Sequence, residues 1–341
     1  MTHLPNVRRT VVAVAALAAL AALAGCGSGS GTSKEGARTK VTVMLDWTPN
    51  TNHGGMYLAK AEGYYRAAGM DVTFLQPGQG ADVNQVVAQG TVDFGVSAAE
   101  QLVPARTSGI PVVSIAAIIQ HNTSSLISLR SSNIMRPRDL VGHTYGAFGG
   151  AFEKALVDEL VRCDGGDPSG VEFKQVGDAD YREGMARHHY DSVWVFDGWD
   201  VIRMADIDHV ALNRMPFIDH SDCIPDWYTP ILVTGQKLVD RDPDLVRRFT
   251  EATAHGYRDA MAHPGKAAEA LLDGAPGLDR ELVERSATYL STRFAADPQE
   301  WGRQDPKVWR TFVRFLEDHR IVKAGFDVDA AFTNDYLPKG R

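Results

Sequence analysis

The sequence has few basic residues, few cysteines and no apolar run of membrane-spanning length. Lys and Arg number 35 against 43 Asp and Glu, and the formal net charge is −8. Because nucleic-acid-binding proteins need a basic surface, this balance argues against a nucleic-acid partner. The chain also lacks a Gly-x-Ser-x-Gly motif, a Walker motif and a zinc-type spacing of Cys and His. We therefore expect a protein that is not an enzyme and that needs neither a metal nor a cofactor.

The apolar run near the N-terminus is too short to cross a membrane. Residues 11–23 are 13 apolar residues, whereas a transmembrane helix needs about 20. A basic head precedes this run and Leu-Ala-Gly-Cys follows it, which resembles a bacterial lipoprotein signal; an ordinary secretory signal is the alternative. We expect a signal peptide over residues 1–25, then a lipidated Cys26 and a flexible tether over 26–39. This arrangement predicts a lipid-anchored protein on the extracytoplasmic face of the cell membrane.

From Lys40 onward, short apolar runs alternate with segments of helical spacing. Such alternation predicts βαβ units with a mostly parallel sheet. The apolar run 192–196 is typical of a buried strand, so we expect Trp194 in the core. After Thr234 the pattern indicates helices alone. The predicted strands are 41–45, 71–75, 93–96, 111–118, 126–129, 143–147, 171–176, 192–196, 210–213 and 231–234, and the predicted helices include 56–68, 151–163 and 306–318.

The strand pattern occurs twice, which indicates two α/β lobes with the second inserted into the first. We expect lobe I to comprise residues 40–124 and 230–341, and lobe II residues 125–229. The chain then crosses between the lobes twice, and two crossings make a hinge. Ligands of open α/β sheets bind beyond the carboxyl ends of the strands, so we expect a binding cleft between the lobes.

Polar and aromatic residues cluster at six strand ends. Aromatic faces stack on a flat ring, while carboxylates and amides pair with its edge nitrogens and amino groups. The combination predicts a flat, polar heteroaromatic ligand. The six segments are 46–53, 97–100, 119–124, 148–153, 197–200 and 226–230. Within them, strand-end placement selects Glu153, Asp197, Trp199 and Tyr228 as ligand-binding candidates.

Some of these segments have a structural alternative. Ser97 and Glu100 have the spacing of a capping box at a helix start. Gly149-Gly150 precedes a helix and could cradle a phosphate, but the segment lacks the Lys of a nucleotide-binding loop. Cys163 and Cys223 are either a disulfide, which an extracytoplasmic location permits, or two buried thiols.

Four segments of the chain resemble the thiamine-pyrimidine-precursor binding proteins, which are solute-binding subunits of bacterial ABC importers. The segments are VMLDWTPNTNHGGMYLAKAEGYY, GTVDFGVSAAEQL, AAIIQHNTSSL and FTNDYL, and the likeness covers nearly all of residues 41–337. The resemblance implies a periplasmic-binding-protein type II fold, with two α/β lobes joined by a two-crossing hinge. It also implies a protein that captures formylaminopyrimidine or hydroxymethylpyrimidine and delivers it to an ABC permease for thiamine biosynthesis. We expect this protein to be a monomer.

The resemblance also implies which residues contact the ligand. It implies ligand contacts from Trp47, Asn50 and His53 in the first segment and from Glu100 in the second. The third segment adds Gln120, His121 and Asn122. Receptors for another flat heterocycle, such as riboflavin, or for an alkylsulfonate are the alternatives within the same fold.

A fungal enzyme of the same superfamily makes the pyrimidine from its own His and a bound pyridoxal phosphate. The likeness places His53 at the position of that His. The enzyme carries a dense run of cysteines before the last strand, whereas DHSDCIPDWYTP has one. The predicted extracytoplasmic location would also separate the chain from cellular pyridoxal phosphate and iron. For these reasons we expect ligand binding without catalysis.

Overall fold

The computed structural model describes residues 38–78, 81–176 and 180–339. The predicted signal peptide and Cys26 lie outside these residues, as does the tether up to residue 37. Across the described ranges, no helix combines the length and the apolar character needed to span a bilayer.

The described strands form two sheets of five strands each. Sheet A has the order β2-β1-β3-β10-β4, and sheet B has the order β7-β6-β8-β5-β9. The chain passes from sheet A to sheet B after β4 and returns after β9. The strands are β1 (Thr39–Met44), β2 (Met70–Leu75), β3 (Phe94–Ser97), β4 (Val112–Ala117), β5 (Ser124–Leu129), β6 (Thr144–Ala147), β7 (Glu172–Gln175), β8 (Ser192–Phe196), β9 (Leu212–Pro216) and β10 (Ile231–Gly235).

Both sheets are mixed, and in each of them four strands run in the same direction and one runs against them, so the prediction of a mostly parallel sheet is confirmed. Strand β10 is antiparallel to β3 and β4, and β5 is antiparallel to β8 and β9. Each of these two strands receives the chain directly from the other sheet, without the helical crossover that a parallel neighbour requires. The parallel pairs are β1 with β2 and β3, and β6 with β7 and β8.

Helices cover the sheets, and the segment after β10 is helical as predicted. The predicted helix 56–68 is divided into two, because Gly63 adopts φ +79° and interrupts it. The α-helices are α1 (Gly54–Ala61), α2 (Tyr64–Ala67), α3 (Val83–Gln89), α4 (Ala99–Thr107), α5 (Ala151–Cys163), α6 (Tyr181–Ala186), α7 (Gln236–Arg241), α8 (Pro243–Ala262), α9 (Pro264–Gly274), α10 (Arg280–Ser291) and α11 (Pro306–Asp318).

The cores lie on the faces of the two sheets. One cluster joins β1 residues such as Val43 to α8 and α10. A second cluster contains Trp194, which is buried as expected, and continues through Trp227 to Phe312 of α11. The Trp227 and Phe312 rings are 5.9 Å apart and nearly parallel. The C-terminal helix therefore packs beside the segment through which the chain returns to sheet A.

Cys163 and Cys223 form a disulfide, which settles the two alternatives left open by the sequence. Their Cα atoms are 5.7 Å apart, and 60 positions separate them in the chain. The bridge ties the end of α5 to the segment between β9 and β10.

Candidate functional site

A cavity of about 330 Å³ lies between residues that follow the strands of sheet A and residues that follow those of sheet B. Its volume is within the range of small-molecule sites. The sheet A side includes Asp46, Trp47, Asn50, Asn52 and Glu100. The sheet B side includes Phe148, Tyr181, Phe196, Trp199 and Asp200.

The loop after β1 is held in shape by its own side chains. The Asn50 side-chain oxygen accepts a hydrogen bond from the backbone N–H of Asn52 at 2.9 Å, and its amide nitrogen donates to the Thr48 carbonyl at 3.0 Å. Asn favours such local bonds to the backbone, which explains its presence in a tight polar loop. The loop therefore presents Trp47, whose side chain is exposed, on an ordered backbone.

His53 lies behind this loop and is fully buried. Its Nδ1 accepts the backbone N–H of Asn50 at 3.1 Å, so the proton of the neutral ring is on Nε2. Nε2 therefore donates to Oδ1 of Asp46 over 2.7 Å. The ring lies outside the cavity lining and orients the Asp46 carboxylate, which is part of it.

Glu100 lies in the first turn of α4 and is half-buried. Burial raises the pKa of its carboxyl to about 7, although a hydrogen bond from Trp227 acts in the opposite direction. That bond joins the indole Nε1 of Trp227 to Oε2 of Glu100 at 3.0 Å. The capping-box alternative is wrong, because the residue that caps α4 is Ala98, without a side-chain cap bond.

A π-helix, Asp197–Ile207, follows β8 and carries Trp199 and Asp200. The strand-end segment 197–200 therefore forms the start of this π-helix. Such helices are rare and often occur at functional sites. The backbone N–H of Phe196 donates to Oδ2 of Asp200 at 3.0 Å. Burial raises the pKa of the Asp200 carboxyl to about 6.

The cavity is acidic. Three carboxylates line it, from Asp46, Glu100 and Asp200, and the described lining residues include no Lys or Arg. A sulfonate or phosphate would find no basic side chain among these residues. A ligand with N–H donors or positive charge would find acceptors on both sides of the cavity.

Three of the predicted site residues have structural partners outside the cavity lining. Glu153 accepts the backbone N–H of Gly149 at 2.9 Å and the Tyr145 hydroxyl at 2.8 Å. The Gly149 amide is thereby occupied, so the Gly149-Gly150 turn is not a free phosphate cradle. Asp197 is buried and accepts the Ser125 hydroxyl at 2.6 Å. The Tyr228 hydroxyl accepts the backbone N–H of Asp305 at 2.7 Å.

The predicted residues from the third segment organise the crossing between the sheets. Gln120 donates to the Glu300 carbonyl at 2.9 Å. His121 contacts Asp226 at 2.7 Å, and the other oxygen of that carboxylate accepts the backbone N–H of Asn122 at 2.9 Å. Of the predicted site residues, Trp47, Asn50 and Glu100 from the resemblance and Trp199 from strand-end placement line one cavity. Gln120, His121 and Asn122 lie along the path of the chain between the sheets instead.

Several lining residues were not among the candidates. Asp46 and Asp200 belong to segments that the strand-end argument had already selected, so a count of acidic residues there could have found them. Phe196 is the last residue of β8, and Tyr181 is the first residue of α6. Nothing in the sequence around either position distinguishes it from an aromatic residue of the core. The remaining unanticipated lining residues are Asn52, Ser97, Ala98, Gln101, Phe148 and Thr229.

The chain is similar over most of its length to proteins named as pyrimidine phosphate synthases and to a protein named as a pyrimidine-binding protein. Residues 50–267 match the family described as NMT1/THI5 like. A Legionella pneumophila protein named 4-amino-5-hydroxymethyl-2-methylpyrimidine phosphate synthase is 27% identical, covering 88% of this chain and 93% of that protein. A Halalkalibacterium halodurans protein named formylaminopyrimidine-binding protein is 25% identical, covering 91% of this chain and 94% of that one.

Solved structures show the fold. The periplasmic aliphatic sulphonate binding protein from Escherichia coli superposes with a TM-score of 0.64 at 14% identity, covering 89% of this chain and 94% of that chain. The type II periplasmic-binding-protein fold with two α/β lobes, expected from the sequence, is thereby confirmed. The positions of the lobe boundaries stay a prediction.

The expectation that this protein is not an enzyme is contradicted. The Legionella relative and further fungal relatives are named as pyrimidine phosphate synthases. The absence of catalytic motifs from the sequence was therefore too weak a ground for excluding catalysis, because a reaction that consumes a protein side chain needs none of them.

Proposed function

Because the chain belongs to the NMT1/THI5-like family, we propose that it is a solute-binding protein for a small aminopyrimidine precursor of thiamine. We expect the ligand to be formylaminopyrimidine or hydroxymethylpyrimidine, and we expect an ABC permease to receive it from this protein. The name of the Halalkalibacterium relative supports the ligand class.

The observation that carries this proposal is the combination of two indoles and three carboxylates in one cavity. Trp47 and Trp199 offer flat faces for an aromatic ring, and Asp46, Glu100 and Asp200 offer acceptors for amino groups and ring N–H. The cavity of about 330 Å³ is near the lower end of the range of small-molecule sites. This room suits a single substituted ring better than a three-ring flavin, and the acidic lining disfavours a sulfonate.

Ligand capture works through closure of the two lobes. A ligand that contacts residues after β1 and β3 on one side and after β8 on the other favours the closed arrangement, because its contacts are complete only there. No bond of the ligand changes in this process. The proposed lipid at Cys26 would hold the receptor at the membrane, where the permease receives the ligand.

Titration calorimetry with the purified protein tests the proposal. The panel contains formylaminopyrimidine, hydroxymethylpyrimidine, riboflavin and an alkanesulfonate. We expect saturable binding of an aminopyrimidine and none of the sulfonate. Binding of riboflavin or the sulfonate in preference to both pyrimidines would reject the assignment.

Synthesis of the pyrimidine is a second candidate, favoured by the names of the synthase relatives and by the contact of His53 with cavity-lining Asp46. Pyridoxal phosphate would need a lysine for its imine and a cradle for its phosphate. The described lining residues include no Lys or Arg, and Glu153 occupies the Gly149 amide, so these residues do not fit that cofactor.

Mass spectrometry separates the two candidates. The protein is incubated in air with pyridoxal phosphate and iron(II), and the peptide that contains His53 is analysed. A change of mass at His53 would establish consumption of the side chain. Unchanged mass together with reversible pyrimidine binding would favour capture.

A further inference from the structure

Two segments present the indoles of the cavity. Trp47 lies in the loop after β1, and Trp199 lies at the start of the π-helix after β8. They come from different sheets and are about 150 positions apart in the chain. A flat ring between them would be gripped only if the distance between the segments is fixed.

Ser286 of α10 contacts both segments. Its hydroxyl donates to the carbonyl of Gly198, the residue before Trp199. A hydroxyl has one proton, so the hydrogen bond with Thr51 must have the Thr51 hydroxyl as donor and Ser286 as acceptor. Ser286 and Thr51 are both buried. The resulting chain of hydrogen bonds runs from the Trp47 loop through α10 to the backbone beside Trp199.

The packing of α10 against the π-helix is close at the same place. A Cβ atom added to Gly198 would lie 3.0 Å from the Leu290 side chain and 3.2 Å from Tyr289. In the middle of the π-helix, Arg203 pairs with Asp279, the N-cap of α10, at 2.8 Å. The π-helix is therefore attached to α10 at two places, and α10 belongs to the core of sheet A.

We propose that Ser286 is a positioning residue, which in the closed arrangement of the lobes fixes the separation of Trp47 and Trp199 and thereby the fit of a flat ring between them. This inference rests on the proposed function only for the chemical identity of the ring that binds between Trp47 and Trp199. Ser286 itself is not part of the cavity lining, and it acts through the two segments that it joins.

The first test is the binding of formylaminopyrimidine or hydroxymethylpyrimidine to Ser286→Ala. Loss of the hydroxyl leaves Thr51 and Gly198 without their partner, and we expect affinity to fall about tenfold. Ser291→Ala is the matched control, because Ser291 is on the same helix, is also buried, and its hydroxyl donates to the Thr288 carbonyl within that helix. The control should bind within about twofold of the unchanged protein.

A double-mutant cycle separates positioning from a general loss of structure. If Ser286 acts through the indole of Trp47, then Ser286→Ala should cost less than about twofold in a Trp47→Ala background. The same tenfold loss in both backgrounds, or no loss in either, would overturn the proposal.

Hydrogen exchange of the ligand-free protein gives a readout that does not depend on the proposed function. Ser286→Ala should accelerate amide exchange in residues 46–53 and in 198–207 together, about tenfold, whereas Ser291→Ala should leave both unchanged. Acceleration in one segment alone, or in neither, would show that Ser286 does not join them. If the unchanged protein binds no aminopyrimidine, the proposed function fails, while this experiment still decides the role of Ser286.

Discussion

At the scale of single residues, the charge of Glu100 should control binding. Burial raises the pKa of Glu100 to about 7 and that of Asp200 to about 6. Both carboxyls are therefore charged at pH 8 and protonated at pH 5, and a charged carboxylate accepts N–H bonds more strongly than a neutral carboxyl does. We expect the affinity for an aminopyrimidine to rise from pH 5 to pH 8. Calorimetry across this range measures the rise.

Glu100→Gln checks which carboxyl is responsible. The amide oxygen can still accept from Trp227, but the charge is gone, so we expect about tenfold weaker binding at pH 8 and a smaller pH dependence. Glu62→Gln, at an exposed position, serves as the control. An affinity that stays constant between pH 5 and pH 8 would remove both carboxylates from recognition.

The raised pKa of Glu100 affects the stability of the fold in the opposite direction to ligand binding. Because the folded-state pKa of Glu100 is above its usual 4.5, the folded ligand-free protein holds this proton more tightly than the unfolded chain does. This contribution to stability is present below pH 4.5 and is lost as the pH rises through 7. As the pH rises through about 7, the ligand-free protein should therefore become less stable while the stabilisation gained from ligand binding increases.

Trp47 is the residue whose removal should affect the ligand and little else. Its side chain is 42% exposed, so truncation removes little core packing. We expect Trp47→Ala to weaken binding by about 1–3 kcal/mol, the usual value of stacking a base on an aromatic side chain. Trp47→Phe keeps a ring and should recover most of the affinity. Unchanged affinity of the alanine variant in calorimetry would place the ligand elsewhere.

At the scale of elements, the disulfide closes a large loop. The bridge between Cys163 and Cys223 spans 60 positions, for which the chain-entropy relation gives about 4 kcal/mol of stabilisation. The double variant Cys163→Ser/Cys223→Ser should lose about this free energy of unfolding in urea denaturation. Neither cysteine lines the cavity, so the double variant should keep the ligand affinity of the unchanged protein. An unchanged unfolding midpoint would contradict this account.

Elements with a strong local pattern were predictable from the sequence. The strand 192–196 and the helices 151–163 and 306–318 have the predicted bounds. The directions of β5 and β10 were not predictable, because they depend on which sheet the chain leaves and not on local composition. The π-helix was missed for a related reason, since its residue spacing has no counterpart in the periods used to recognise helices and strands.

The candidate site was predictable in outline. Five of the six strand-end segments contribute at least one cavity-lining residue and segment 119–124 contributes none, because the carboxyl ends of most of the strands meet at one edge of a sheet. The strand-end rule does not tell which polar group in a segment faces the ligand. Glu153 has the chemistry of a ligand-binding carboxylate, yet its oxygens accept the amides of its own turn. Asp200, three residues after the candidate Asp197, lines the cavity instead.

At the scale of the whole molecule, the two connections between the sheets should allow closure. The cavity has residues from both sheets on its sides, and the chain crosses between the sheets in residues 118–123 and 217–230. A ligand that contacts both sides stabilises the closed arrangement by its differential affinity alone. We expect the radius of gyration from small-angle X-ray scattering to decrease on saturation with an aminopyrimidine. Trp199→Ala removes one side of the contact, so any ligand still bound should produce a smaller decrease. Full affinity with no change in the radius of gyration would mean that the ligand binds one lobe only, and the closure mechanism would then be wrong even if the ligand is right.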